Sequence, residues 1–226
     1  MSNWDRFVDA FFNARMMAKY LPDIAHGMVV TIELAVLVIA AGLAAGLALA
    51  LLRSLGFRPV NLLIVFVVHL FRALPPLVII VFIYFGLPAV ELSPSGFVST
   101  WLSLTFVLMA FSEEIFWAGI TSIAKGQWEA ARSTGLSYGQ TLMHVVLPQA
   151  IRLTIPPLTN RTIAITKGTA LGTVVAVTEI LGQASSAMSN SYNPSPLMLG
   201  AAAYIVLFFP VVVAARWVET KFAWKR

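Results

Sequence analysis

Gln127-Trp-Glu-Ala-Ala-Arg-Ser-Thr-Gly-Leu-Ser-Tyr-Gly-Gln-Thr-Leu-Met-His-Val-Val-Leu-Pro-Gln-Ala150 is a polar island in a chain that is 59% hydrophobic. Its first part, Glu129-Ala130-Ala131 followed by Gly135, reads as a short helix ended by a glycine, because glycine favours the left-handed conformation that closes a helix. Ala130 and Ala131 give a smooth face that can enter a groove, and Glu129 can pair with a basic group on a partner. A loop helix that merely turns the chain has the same pattern, and spacing alone does not separate the two. Leu147-Pro148 then reads as the return to the membrane, since a residue before proline avoids the helical region.

What flanks the island decides the class. Only 11% of the 226 residues are charged and the mean hydropathy is +0.85, whereas soluble domains carry about a quarter charged residues. Crossing a hydrocarbon core takes about 20 apolar residues. Residues 29–52, 62–88, 97–115 and 197–218 meet that length. A fifth segment, 150–177, is apolar on average but interrupted by Pro156, Pro157, Arg161 and Lys167. The expectation is an all-α integral membrane protein with five spans in one domain, residues 22–220.

The isoelectric point near 9.8 would suit a nucleic-acid partner, but the positions of the charges argue for topology instead. With the amino terminus outside, the inner loops and tail hold Arg53, Arg58, Lys125, Arg132, Arg152, Arg216, Lys221, Lys225 and Arg226. The outer segments hold Arg6, Arg15 and Lys19. Cytoplasmic enrichment in Lys and Arg favours this orientation. The carboxyl terminus is then cytoplasmic, 221–226 form a basic tail, and Trp217, Phe222 and Trp224 among basic residues read as an interfacial anchor.

Absent residues exclude further classes. There is no cysteine, hence no disulfide framework or thiolate metal site. His26, His69 and His144 are too dispersed for a metal centre. Residues 1–21 do not read as a cleavable signal peptide, because Asp5 and Asp9 interrupt them. Trp4, Phe7, Val8, Phe11 and Phe12 share one helical face opposite Asp5, Arg6, Asp9 and Asn13. That pattern suits either a helix lying on the outer bilayer surface or a peripheral helix packed on the spans.

Inside the spans, Gly42 and Gly46 offer close helix packing, and Glu33 can snorkel to the outer interface. Pro75-Pro76 and Pro156-Pro157 interrupt the hydrogen-bond ladder, which is tolerated where protein or a cavity satisfies the freed carbonyls. Arg72, Arg161 and Lys167 each carry a charge that costs about 2.5–3.5 kcal/mol on insertion scales. An internal ion pair, for example with Glu114, or contact with carbonyls freed at Pro75-Pro76 and Pro156-Pro157 is expected for Lys167. For Arg72 and Arg161, such a neutralising contact and a contact to the carboxylate of a bound small molecule are equally supported. Thr159 and Asn160 are candidate pathway contacts, because transporters bind cargo where helices unwind near mid-membrane. The third span is expected to end at Glu113-Glu114, and residues 182–196 to form a surface loop with room for a short helix.

The run 127–150 resembles the EAA loop of bacterial ABC importer permeases, in particular the polar amino-acid family. Supporting matches are Phe71-Arg72 with Pro75, Tyr84-Phe85-Gly86-Leu87-Pro88, Glu114-Ile115-Phe116, Pro156-Pro157-Leu158-Thr159-Asn160 and Lys167-Gly168-Thr169. The resemblance implies the five-helix type I importer (MetI-like) fold in an inner membrane. It implies that 127–135 is a cytoplasmic coupling helix, with Glu129, Ala130, Ala131 and Gly135 seated on an ATPase. No Gly-x-x-x-x-Gly-Lys-Ser/Thr phosphate loop is present, so ATP and magnesium would be bound by a separate ATP-binding subunit dimer, with no cofactor in this chain. A second permease copy or a paralogue and an extracytoplasmic solute-binding protein would complete the machine. Departures fall near the expected pathway: Arg72-Ala73-Leu74-Pro75 for Arg-Gly-Thr-Pro, Trp117 where an arginine often follows Glu-Ile-Phe, and Lys167-Gly168-Thr169-Ala170 for Lys-Asp-Thr-Ser. The rival readings are an ion-gradient-driven transporter using Glu33, Glu114 and Lys167, and a non-transporting scaffold.

Overall fold

A computed structural model describes residues 2–222; Trp224, Lys225 and Arg226 lie outside the described residues. Every described element is helical. Four helices are long and apolar enough to cross a membrane, or up to five if one interrupted pair counts as a single span. The contacts divide the chain into two units, one gathering Met1–Val38, Pro75–Leu104 and Thr166–Val213, the other Ile39–Leu74, Thr105–Ile165 and Ala214–Arg226.

The first unit opens with α1 (Asn3–Phe11), started by a capping box in which Ser2 and Asp5 exchange backbone bonds. It buries no side chain, and Trp4 is 70% exposed. Its end is tied down by Ser195, whose hydroxyl donates to the Ala10 carbonyl, and by Asn193, which donates to Asp9. α2 (Ala14–Ser54) begins far earlier than the apolar run from 29 suggests. The start is set by a cap: the Asn13 side chain accepts from the Met16 amide at 3.1 Å, satisfying a donor that a helix start leaves open. At 41 residues the helix is roughly 60 Å long.

The expected second span, 62–88, is not one helix. α3 (Arg58–Ala73) stops because Leu74 precedes Pro75 and takes an extended ψ of 133°. Pro75 is extended as well, and α4 (Pro76–Val81) restarts with proline in its first turn, where the missing N–H costs nothing. A π-helical turn, Phe82–Gly86, and a 3₁₀ turn, Leu87–Val90, follow.

α5 (Gly96–Ser122) passes through Glu113 and Glu114 instead of ending there, since both acids have cationic partners, described below. α6 (Lys125–Ser133) and the single turn α7 (Tyr138–Thr141) build the loop region. α8 (Leu147–Thr166) also corrects expectation: it stays helical through Pro156-Pro157. The irregular backbone comes later, in the 3₁₀ stretch Lys167–Val175 that ends at Ala176 in the left-handed region, φ 59°. Much of the expected surface loop is α9 (Ile180–Ser191), whose first turn is capped by the Glu179 carboxylate accepting from the Gly182 amide at 2.8 Å. α10 (Ser195–Phe222) is the last described helix.

Among the described residues of the first unit, one small core gathers Ile24, Ile180, Ala184 and Ala203 and another Ile80, Val175 and Val177. Glu179 is fully buried there, accepting also from the Thr173 hydroxyl at 2.9 Å and from Tyr204. In the second unit Ala50, Phe116, Ile120, Leu142, Val146 and Ala150 form the main core. Gly42 and Gly46 bring α2 against α5. A Cβ on Gly46 would stand 2.6 Å from the Cβ of Ser112, and one on Gly42 2.8 Å from that of Leu108, so larger residues would force the helices apart.

Candidate coupling and pathway residues

α6 displays the Glu-Ala-Ala signature unevenly. Glu129 and Ala130 are exposed, while Ala131 is buried at 8%. The helix closes through Thr134 and then Gly135, whose φ of 92° lies in the region L side chains avoid. No atom lies within 4 Å of a Cβ added there, so backbone conformation rather than crowding calls for glycine. Ala131 and Trp128 turn inward, Trp128 against the main core of this unit.

Trp128 also stacks on Tyr138, ring centroids 5.3 Å apart. The Tyr138 hydroxyl donates to the Ser54 carbonyl at 2.6 Å, at the last residue of α2. The short helix is thereby tethered to the end of a span. Leu147 does not leave the helical region as expected of a residue before proline. Leu147 is helical, with φ −60° and ψ −43°, and the run continues from α7 through the π turn Leu142–Val146 into α8. The wider π turn accommodates the proline, and the Gln149 side chain donates to the Val145 carbonyl at 2.7 Å.

Four residues near the expected pathway come together in this unit. Arg72 pairs with Glu114 and lies over the Phe111 ring, 5.3 Å from its centroid. The Arg161 guanidinium sits over the same ring at 3.9 Å. Among the described residues Arg161 has no ion pair, because the pairs are Arg72–Glu114 and Arg53–Glu113. Thr159 turns its hydroxyl back onto the Ile155 carbonyl at 2.8 Å, and Asn160 is exposed. Neither sits beside an unwound turn, since α8 is continuous there. In the other unit Lys167 lacks, among the described residues, the ion pair that was one of its two expected contacts; it is exposed, 6.0 Å from the centroid of Phe208.

The Arg53–Glu113 pair was missed from the sequence. Glu113 is fully buried, and an Arg53 nitrogen sits 3.0 Å and 3.3 Å from its two oxygens while the guanidinium covers Trp117 at 4.6 Å. Adjacent helical residues point about 100° apart, so Glu113 and Glu114 need separate cations. That geometric demand was the available signal. Glu179 gave no comparable sign of its buried capping role in the sequence.

A family model described as "Binding-protein-dependent transport system inner membrane component" matches residues 22–224. The chain belongs to this family. The permease is 35% identical over 192 residues to the probable glutamine ABC transporter permease protein GlnM of Bacillus subtilis (strain 168), covering 84% of this chain and 89% of that one. It is 32% identical over 203 residues to the arginine transport system permease protein ArtQ of the same organism, covering 89% and 93%. Among solved structures it is similar to an amino acid ABC transporter crystallised with histidines, with a TM-score of 0.83, 30% identity, and coverage of 91% and 96%. The inward-facing MetNI methionine ABC transporter, at 19% identity and a TM-score of 0.68, shares the fold. The permease is thus a membrane subunit of an ATP-driven importer, a family whose ATPase is a separate subunit. The ion-gradient reading finds no support in these relatives, and Glu114, one of its three groups, is already paired with Arg72.

Proposed function

We propose that the permease translocates a polar amino acid, or a related compound such as an opine, across the bacterial inner membrane by alternating access. The supporting observation is its similarity to glutamine and arginine permeases over most of its length. In this reading the amino terminus is outside, and α6 meets a cytoplasmic ATPase dimer that binds ATP and magnesium. A solute-binding protein delivers the cargo, and a second permease copy or a paralogue completes the pathway. Glu129, Ala130, Ala131 and Gly135 carry the coupling. Arg161 offers its guanidinium to the cargo carboxylate. Arg72, Glu114, Thr159 and Asn160 flank that route.

The exposed Glu129 beside a small alanine is the feature best suited to a protein groove. Glu129→Lys reverses its charge, and Gly135→Asp forces a side chain into a left-handed turn. Both variants are expected to insert normally but to lose ATP-dependent uptake in proteoliposomes carrying the whole transporter. Normal uptake and normal ATPase association in both would sink the coupling assignment. Uptake by the wild type without nucleotide would sink the reading of ATP-driven import.

A further inference from the structure

A cavity of about 760 Å³ opens in the second unit where α5 ends and α6 begins, walled also by α8 and the end of α10. Its polar lining is Ser122, Gln127, Gln149, Arg152 and Lys221, and Leu153 adds an apolar wall. Among the described residues two cations face it and no carboxylate lines it. Among the described residues neither Arg152 nor Lys221 has an ion pair, in contrast to Arg53 and Arg72. Gln149 donates to Gln127 at 3.3 Å and to the Val145 carbonyl, which leaves the Gln127 amide nitrogen able to donate. Ala124 at the start of α6 supplies no side-chain cap to that helix's first amides. The wall is therefore rich in donors and positive charge.

We propose that this cavity holds the phosphate headgroup of an anionic phospholipid. Position favours a lipid over a dissolved anion. The cavity lies at the end of the spans, and the Lys221 ammonium rests 4.9 Å from the ring centroid of Trp217, an exposed aromatic of the kind that anchors helices at the headgroup level. Basic pockets between helices on the cytoplasmic side are suited to anionic headgroups; that the cavity is cytoplasmic rests on the topology proposed above. A phosphate bridging Arg152, Lys221 and Gln127 links the start of α6 to α8 and α10. It would bias the coupling helix without touching the cargo.

The test uses the assembled transporter in nanodiscs of equal parts phosphatidylglycerol and phosphatidylcholine. Native mass spectrometry should find retained phosphatidylglycerol, with retention about 5-fold weaker for each cation removed in Arg152→Gln and Lys221→Gln. The charge-keeping Arg152→Lys with Lys221→Arg should restore it. A photoactivatable phosphatidylglycerol should label the wild type within 122–127 and 149–153, a measurement that needs no variant. Labelling only elsewhere, undiminished retention in the double Gln variant, or displacement by inorganic phosphate would each overturn the proposal. Loss of coupling in Glu129→Lys with retention intact would leave this site standing, so the two readings fail separately.

Discussion

Three arginines of one unit are distinguished by their partners. Arg53 is locked to the buried Glu113, and Arg72 to Glu114. Among the described residues Arg161 has no ion pair and lies over the Phe111 face, so of these three its charge is the one free for a visiting carboxylate. A hydrogen bond to a charged group contributes about 1.5–3 kcal/mol, roughly 10–100-fold in binding. Arg161→Ala should therefore lower uptake at subsaturating cargo about tenfold or more while the thermal midpoint stays near the wild-type value. Arg53→Ala should do the reverse. It strands a buried carboxylate at a cost of roughly 3 kcal/mol, lowering the midpoint without a cargo-dependent defect. Uptake curves beside thermal denaturation separate the two, and an unchanged uptake curve for Arg161→Ala would remove it from the pathway.

Among the elements, α6 is nine residues long, too short to be a stable helix alone. Its support is the Trp128–Tyr138 stack and the Tyr138 bond to the end of α2. Tyr138→Phe keeps the ring and removes only the hydroxyl, at a cost of about 1 kcal/mol. If the tether transmits ATPase closure to α2, the variant should assemble normally but hydrolyse more ATP per cargo moved. A wild-type ratio would show that Ser54 and Tyr138 do not transmit motion. Elements like this one also show what could be read from sequence. The Glu129-to-Gly135 helix was legible because a polar run with a glycine stop is local chemistry. The break at Leu74-Pro75 was legible for the same reason. The starts of α2 and α9 were not, because Asn13 and Glu179 act through caps that hydropathy does not weigh. Nor was the course of α5 past Glu113, because its partner lies 60 residues away in sequence. The smooth passage of α8 through Pro156-Pro157 shows that proline spacing alone does not place an unwound turn.

For the whole molecule, the remaining physical question is which face of the membrane α6 occupies. On the proposed topology Arg53, Arg58, Lys125, Arg132 and Arg152 belong to the inner loops and Arg6, Arg15 and Lys19 to the outer segments, a bias that favours a cytoplasmic α6. Because the chain has no cysteine, single substitutions can report sidedness against a silent background. Ser93, Asn190 and Ser133 are all exposed, so each can take a thiol without opening a core. In intact cells a membrane-impermeant maleimide should label Ser93→Cys and Asn190→Cys at once. Ser133→Cys, at the end of α6, should react only after permeabilisation. The opposite pattern would turn α6 away from any cytoplasmic ATPase. It would overturn the coupling role of Glu129 and Gly135 even if every helix stood as described, since a coupling helix must lie on the side where ATP is hydrolysed.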